Sequence, residues 1–299
     1  MSDTQKRRVD GNGCPAHVPR PDDTEARLAD RMARIAHKVV VLSGKGGVGK
    51  STVAVNMAVA LAERGLRVGL LDIDLHGPSV PKMLHLEGSP IRDHCGAALP
   101  VPFTQNLQVM SIGFFLQSDD QAIIWRGPRK FSMIKQLLAD VEWGELDCLV
   151  VDAPPGTGDE PLALLELLGA IDGAVVVTTP QQLSITDVRK SIAFCRELRC
   201  RVLGIVENMS GLVCPHCGGM VEVFTSGGGE ALAAEVGVPF LGAVPMDPGV
   251  ALSGDSGRPF LAAYGHTAAA EALRSAITPI LELGSRGDVE QNTAEVMQP

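Results

Sequence analysis

Residues 38–65 constrain the chain more than any other stretch. An apolar run, KVVVL (38–42), leads into SGKGGVGKST (43–52), and the helix-length segment STVAVNMAVALAERG (51–65) follows. The outline G-x-x-x-x-G-K-S spans Gly44 to Ser51, with Lys45, Gly46, Gly47, Val48, Gly49 and Lys50 inside it. A strand before such a loop and a helix after it form the setting in which the pattern cradles a triphosphate. Its glycines let backbone N–H groups turn inward onto phosphate oxygens, and the helix opening at Ser51 adds its positive end. Lys50 is placed to reach the β/γ-phosphates, Ser51 to ligate Mg²⁺ and Thr52 to bond a phosphate oxygen. Lys45 is an extra cation that the pattern does not require.

Further apolar runs recur at 67–74, 107–113, 147–152, 173–179, 201–208 and 239–244. Most are continuous rather than alternating, as expected of parallel strands covered on both faces. Helix-length segments separate many of them. The alternation predicts one α/β domain over 38–283, a three-layer P-loop NTPase fold whose mainly parallel sheet carries helices on both faces. Residues 1–37 read as a polar tail with a short helix, in which Leu28, Met32 and Ile35 share a side, and 284–299 read as a flexible tail. A formal charge of −9 argues against nucleic acid or an anionic membrane as partner. No apolar run reaches the roughly 18 residues of a membrane span. The start, MSDTQKRRVDGNG, lacks the apolar core of an export signal, so the seven cysteines are expected to be reduced thiols in the cytoplasm.

An NTPase also needs a carboxylate near its metal. DCLVVD ends in Asp152 and APPGTGD follows, so Asp152 is placed to hold a water on Mg²⁺ and Gly156 to offer its N–H to the γ-phosphate. LLDIDLHGPS supplies Asp72 and Asp74, which are expected to point to opposite sides of their strand and to have different roles. Asp74, further into the loop, is the candidate to orient attacking water.

VCPHCGGM sets Cys214 and Cys217 around Pro215 and His216. Proline fixes φ and the glycines free the turn, so both sulfurs can face one metal. Three readings stay open: a redox dithiol without the usual strand–helix setting, half of a zinc knuckle, and half of an iron–sulfur site. Two thiolates cannot complete a four-cysteine site. Cys14, Cys95, Cys148, Cys195 and Cys200 are scattered, and Cys148 and Cys195 read as core residues. A symmetric dimer, giving two sulfurs from each subunit, would supply the count. His76, His85 and His94 fit no ligand spacing and read as parts of a surface loop.

GKGGVGKS resembles the deviant phosphate loop of the MinD/ParA/nitrogenase-iron-protein class of ATPases. The resemblance implies that Lys45 reaches across a dimer to the partner's bound phosphates. DIDLHGPSVP (72–81), WRGPRK (125–130), VVDAPPGTGDE (150–160), VENMSG (206–211), CPHC (214–217) and SGGGE (226–230) are similar to stretches of the Mrp/ApbC iron–sulfur cluster carriers, in the same order. That likeness implies a cytoplasmic homodimeric ATPase using ATP and Mg²⁺. Cys214 and Cys217 would hold a [4Fe–4S] cluster that bridges two subunits and passes to apo iron–sulfur proteins. It also implies that Asn208 and the stretch from Pro245 to Asp247 flank the adenine. Some members carry a four-cysteine N-terminal extension, whereas this chain offers only Cys14 there. The rival readings are a MinD/ParA-like positioning ATPase and a zinc-stapled regulatory NTPase. The acidic end DVEQNTAEVMQP and the net charge disfavour the first.

Overall fold

Each of the seven apolar runs becomes a strand of one sheet. The structure, a computed structural model, describes residues 24–75, 77–115, 127–214, 216–223 and 226–283. The expectations for Cys14 and the N-terminal tail, His76, Trp125, Arg126, Pro215 and the segment 284–299 lie outside the described residues.

The chain opens with α1 (Thr24–Ala33), β1 (Ile35–Ser43), α2 (Lys50–Glu63), β2 (Val68–Asp72) and the one-turn α3 (Val80–Met83). Three short strands follow: β3 (Arg92–His94), β4 (Ala97–Leu99) and β5 (Val101–Pro102). Next come β6 (Leu107–Ser111), α4 (Gly127–Ala139), β7 (Leu146–Asp152), α5 (Asp159–Leu168), β8 (Gly173–Thr178) and α6 (Gln182–Glu197). The last third holds β9 (Val202–Val213), β10 (Met220–Val221), α7 (Gly228–Val236), β11 (Phe240–Met246), α8 (Pro248–Ser256), α9 (Phe260–Ala263) and α10 (Ala268–Leu281).

The sheet order is β10-β9-β8-β1-β7-β2-β6-β5, and β11 pairs with β9. β1, β2, β6, β7, β8, β9 and β11 pair in parallel, while β5 and β10 are antiparallel additions at the margins. Alternation sorts the side chains: Val39 and Val41 pack against α2 and α10, while Val40 and Leu42 pack towards α1, α4 and α5. α2 is buried on nearly every side, which accounts for its apolar sequence.

The boundary expected at residue 38 falls inside β1, which starts at Ile35. Leu28 and Met32 of α1 are buried in the same core cluster as Ile134 and Leu137 of α4. Arg27 also pairs with Asp140 at 2.9 Å. The first helix is therefore part of the packed unit. No described helix is long and apolar enough to cross a membrane.

Candidate functional site

Parallel pairing brings the C-terminal ends of β1, β7 and β2 side by side, where open α/β sheets bind ligands. Val41 pairs with Asp152, and Asp152 with Asp72. The phosphate loop springs from the same edge between β1 and α2. Gly47 and Gly49 have φ of 79° and 87°, a region open to glycine at little cost. Two other demands fix glycines here. A Cβ on Gly44 would lie 2.5 Å from the backbone carbon of Asp187, and one on Gly49 would lie 2.1 Å from Asn208 Nδ2. Around Gly46 and Gly47 the space is open, which leaves room for phosphate above the loop.

Lys50, at the start of α2, is buried and donates from Nζ to Asp152 Oδ1 at 2.5 Å. Its Nζ also lies 3.6 Å from Asp74 Oδ2. Burial raises the Asp152 carboxyl above its ordinary range, Lys50 and Ser51 pull it down, and Asp74 pushes it up. Oδ2 of Asp152 is fully buried and has no hydrogen-bond partner among the described residues. An orphan carboxylate oxygen close to Ser51 fits a hydrated divalent cation, which would satisfy it. The residues expected to serve Mg²⁺ are thus together.

Asp72 and Asp74 do have different settings, but not for the reason expected. Residues two apart share one face of a strand. They differ because β2 ends at Asp72 and Asp74 lies in the loop beyond. Asp72 is fully buried and accepts from Asp74 N (3.1 Å), Val80 N (3.3 Å) and Ser111 Oγ (2.9 Å). It pins the loop between β2 and α3. Burial, then the neighbouring Asp152, pushes its carboxyl up to about 7.

Gly156 departs from expectation. It has φ of 89°, but its N–H donates to Ser43 O at 2.7 Å. In this state that amide ties the loop after β7 to the root of the phosphate loop and is not offered to phosphate. Ser51 and Thr52 stand at the first turn of α2. Lys45 Nζ donates to Gln181 Oε1 at 3.5 Å.

Asn208 on β9 donates from Nδ2 to Val48 O at 2.9 Å. Register places it opposite Val244, next to Pro245. The Asp247 side chain caps α8 by accepting from Gly249 N at 2.7 Å. Asn208 thus stands beside the phosphate loop and Pro245 follows its strand partner Val244, while the Asp247 carboxylate has a structural task.

The cysteine pair sits where β9 turns back into β10. Cys214 N donates to Gly219 O, and Gly218 N donates to Cys214 O, both at 2.9 Å. Backbone N–H groups of Cys217 and His216 point at the Cys214 sulfur and, with the Cys217 side chain, lower its thiol pKa. That is the electrostatic setting of a thiolate ligand. Cys217 is exposed. Among the described residues no cluster of three or more His, Cys, Asp or Glu could hold a metal. Cys148, Cys195 and Cys200 are free and buried. Cys95 is disulfide-bonded, against the expectation of thiols throughout.

Three contributors went unassigned in the sequence: Ser111 at the end of β6, Gln181 before α6, and Glu207 beside Asn208. Only Glu207 had a signal, its place in VENMSG.

A sequence profile described as ParA, NUBPL iron-transfer P-loop NTPase, matches residues 34–281. The chain is 49% identical over 283 residues to a cytosolic Fe-S cluster assembly factor NUBP2 homolog of Monosiga brevicollis, covering 93% of this chain and 98% of the relative. It is 49% identical over 254 residues to cytosolic Fe-S cluster assembly factor NUBP2 of Rattus norvegicus, covering 84% and 94%. Among solved structures, a nucleotide-binding protein of Archaeoglobus fulgidus in complex with ADP and with Co superposes with TM-score 0.70 and 37% identity, over 82% of this chain and 93% of that one. MinD of Aquifex aeolicus, in its complex with MinC, superposes with TM-score 0.61 at 20% identity, over 83% and 96%, a likeness of fold alone.

Proposed function

The chain belongs to the NUBPL-type iron-transfer P-loop NTPases of the ParA family, and we propose that it is an ATP-hydrolysing carrier of a [4Fe–4S] cluster, working in the cytosol as a homodimer. One observation carries the proposal. A single strand, β9, bears both the phosphate-loop contact, Asn208, and the knuckle that presents Cys214 and Cys217. One chain supplies two thiols where the cluster needs four ligands. The second pair comes from a second copy about a two-fold axis. The cluster is cargo, handed on to apo iron–sulfur proteins.

Lys50 and the loop amides bind the triphosphate, and Lys50 exchanges Asp152 for phosphate oxygens as nucleotide enters. Ser51 and, through water, Asp152 would hold Mg²⁺, which when bound neutralises charge on the β- and γ-phosphates. Asp74, freed from Lys50, orients the attacking water. Asn208 and Pro245 border the adenine. Lys45 acts on the partner's phosphates. The Gly156 amide reaches the γ-phosphate only after leaving Ser43, so that hydrogen bond is a nucleotide-sensitive latch.

The test is anaerobic reconstitution with iron and sulfide, iron counted per dimer, and transfer to an apo-enzyme. About four irons per dimer with transfer supports the carrier reading. Zinc retained with no iron uptake would favour the zinc-stapled NTPase, and ATPase without any bound metal the positioning ATPase.

A further inference from the structure

Glu207 has no part in the chemistry above, yet it is fully buried. A buried carboxylate is costly unless donors meet its oxygens. Ser210 Oγ donates to Oε1 at 2.6 Å, Gly227 N to Oε1 at 3.1 Å and Gly229 N to Oε2 at 2.5 Å. The two amides belong to the start of α7, whose positive end adds to the attraction. Ser210 lies on the limb that leads out to the cysteines. Gly227 and Gly229 lie on the limb that returns. One carboxylate thus clamps both limbs of the excursion carrying Cys214 and Cys217.

Successive residues of a strand face opposite ways. Asn208, the next residue, accordingly holds Val48 O of the phosphate loop. Between Asn208 and the cysteines the strand is irregular. Asn208 pairs with Val244 and Leu212 with Met246, so residues 209–211 bulge against Pro245 alone. Met209 at the bulge has φ of 58°, a left-handed conformation that is unfavourable for a non-glycine residue. Such strain persists only where the surroundings impose it.

The glycines of SGGGE fit the same clamp. A Cβ on Gly229 would lie 3.0 Å from Glu207 Oε2, and one on Gly228 would lie 3.0 Å from Pro180 O. Pro180 precedes Gln181, the residue that Lys45 touches. The clamp is therefore connected to the phosphate loop twice, through Val48 and through the turn before α6.

We propose that Glu207 is the positioning residue that couples the phosphate loop to the cysteine pair. Movement of Val48 and Lys45 on nucleotide binding is passed through β9 and the bulge at Met209, and the Glu207 clamp converts it into a change in how Cys214 and Cys217 are presented. The inference deepens the carrier reading and rests on it only for what the cysteines hold.

The test needs no cluster. Apo protein is alkylated with a maleimide, with and without Mg·ATP, and labelling of the peptide bearing Cys214 and Cys217 is followed by mass spectrometry. In the wild type, nucleotide should change the labelling rate by about fivefold or more, the size of a modest coupling between two sites. Glu207→Gln sets an amide N–H₂ against a backbone N–H donor. Its nucleotide affinity, read with a fluorescent ATP analogue, should stay within about threefold, while the nucleotide effect on labelling falls below about twofold. A wild type without a nucleotide effect, or a Glu207→Gln variant that keeps it, overturns the proposal. Should Glu207→Gln fail to fold, Ser210→Ala opens only the outgoing limb and must reduce the effect, and an unchanged response there overturns it equally. Iron reconstitution is a separate arm: a protein that takes up no iron but shows the coupling loses its cargo and keeps its lever.

Discussion

Lys50 is the residue on which the most depends. It is buried between Asp152 at 2.5 Å and Asp74 at 3.6 Å, so it serves the resting structure as well as the phosphates. Lys50→Ala should abolish ATP binding in calorimetry. It should also destabilise the nucleotide-free protein by about 3 kcal/mol, the order found when one partner of a buried ion pair is removed. A variant with normal ATP affinity would remove Lys50 from the site. The two acids divide the remaining work. Asp74→Asn should bind nucleotide and lose turnover, because Asp74 lies in the loop beyond the strand end, 3.6 Å from Lys50 Nζ. Asp152→Asn should weaken Mg²⁺-dependent binding, because its orphan Oδ2 is the atom that needs a cation. If Asp152→Asn binds normally without turnover while Asp74→Asn stays active, the roles are exchanged. Lys50, Ser51 and Asp152 were legible in the sequence because a phosphate loop and a strand-end acid each have a local signature. The structural tasks of Asp72 and Glu207 were not. Their partners, Ser111 for one and Gly227 and Gly229 for the other, lie across the sheet or beyond a hairpin.

At the scale of elements, the sequence showed what is continuous and hid what is short. β2 and β8 are buried along their whole length, so their apolar runs stand out. β3, β4 and β5 have two or three residues each, too few for any period to show. α5 carries Pro161 in its first turn, a position that costs the helix no hydrogen bond and yet reads as a break. The end of β2 makes a pH prediction. Asp72 is raised to about 7 in the folded protein, against an ordinary value near 3.8. The folded state therefore keeps a proton that the unfolded chain releases. The resulting stabilisation is complete below about pH 4 and is lost as the pH rises through about 7. Asp72→Asn should cancel that component. The melting temperature of the wild type relative to Asp72→Asn should fall between about pH 4 and pH 7. A pH-independent difference would mean that Asp72 is already ionised in the fold. The hairpin of β9 and β10 makes another. Cys217→Ala should leave a folded, ATP-binding protein that cannot hold a cluster, because in a dimer the change removes two of about four ligands. A cluster spectrum of full intensity in that variant would place the ligands elsewhere.

At the scale of the whole molecule, the proposed dimer rests on the cysteine count and on the trans role that the family resemblance gives Lys45. Lys45 Nζ lies 3.5 Å from Gln181 Oε1 of its own chain. If Lys45 acts across the dimer, Lys45→Ala should leave each chain's own phosphate loop intact. Lys50, Ser51 and the loop amides still hold Mg·ATP, so affinity should fall little. Turnover should fall by up to about 10³-fold if the lysine stabilises transition-state charge as an arginine finger does. Complementation decides the direction. In a heterodimer of Lys45→Ala with Lys50→Ala, the Lys45→Ala chain keeps a sound phosphate loop and receives Lys45 from its partner. One site is then complete, and ATPase activity should reappear on mixing. With Lys45 acting within its own chain, neither site is complete and the mixture stays silent. Subunit exchange is established first on cluster-free protein, by mixing two differently labelled wild-type samples, since a bridging cluster would hold the original pairs together. A silent mixture after proven exchange would leave the cysteine pair as the sole argument for the dimer. Restored activity would bind the two functions into one assembly, because the contact that completes the ATP site would also bring the two cysteine hairpins to a common axis.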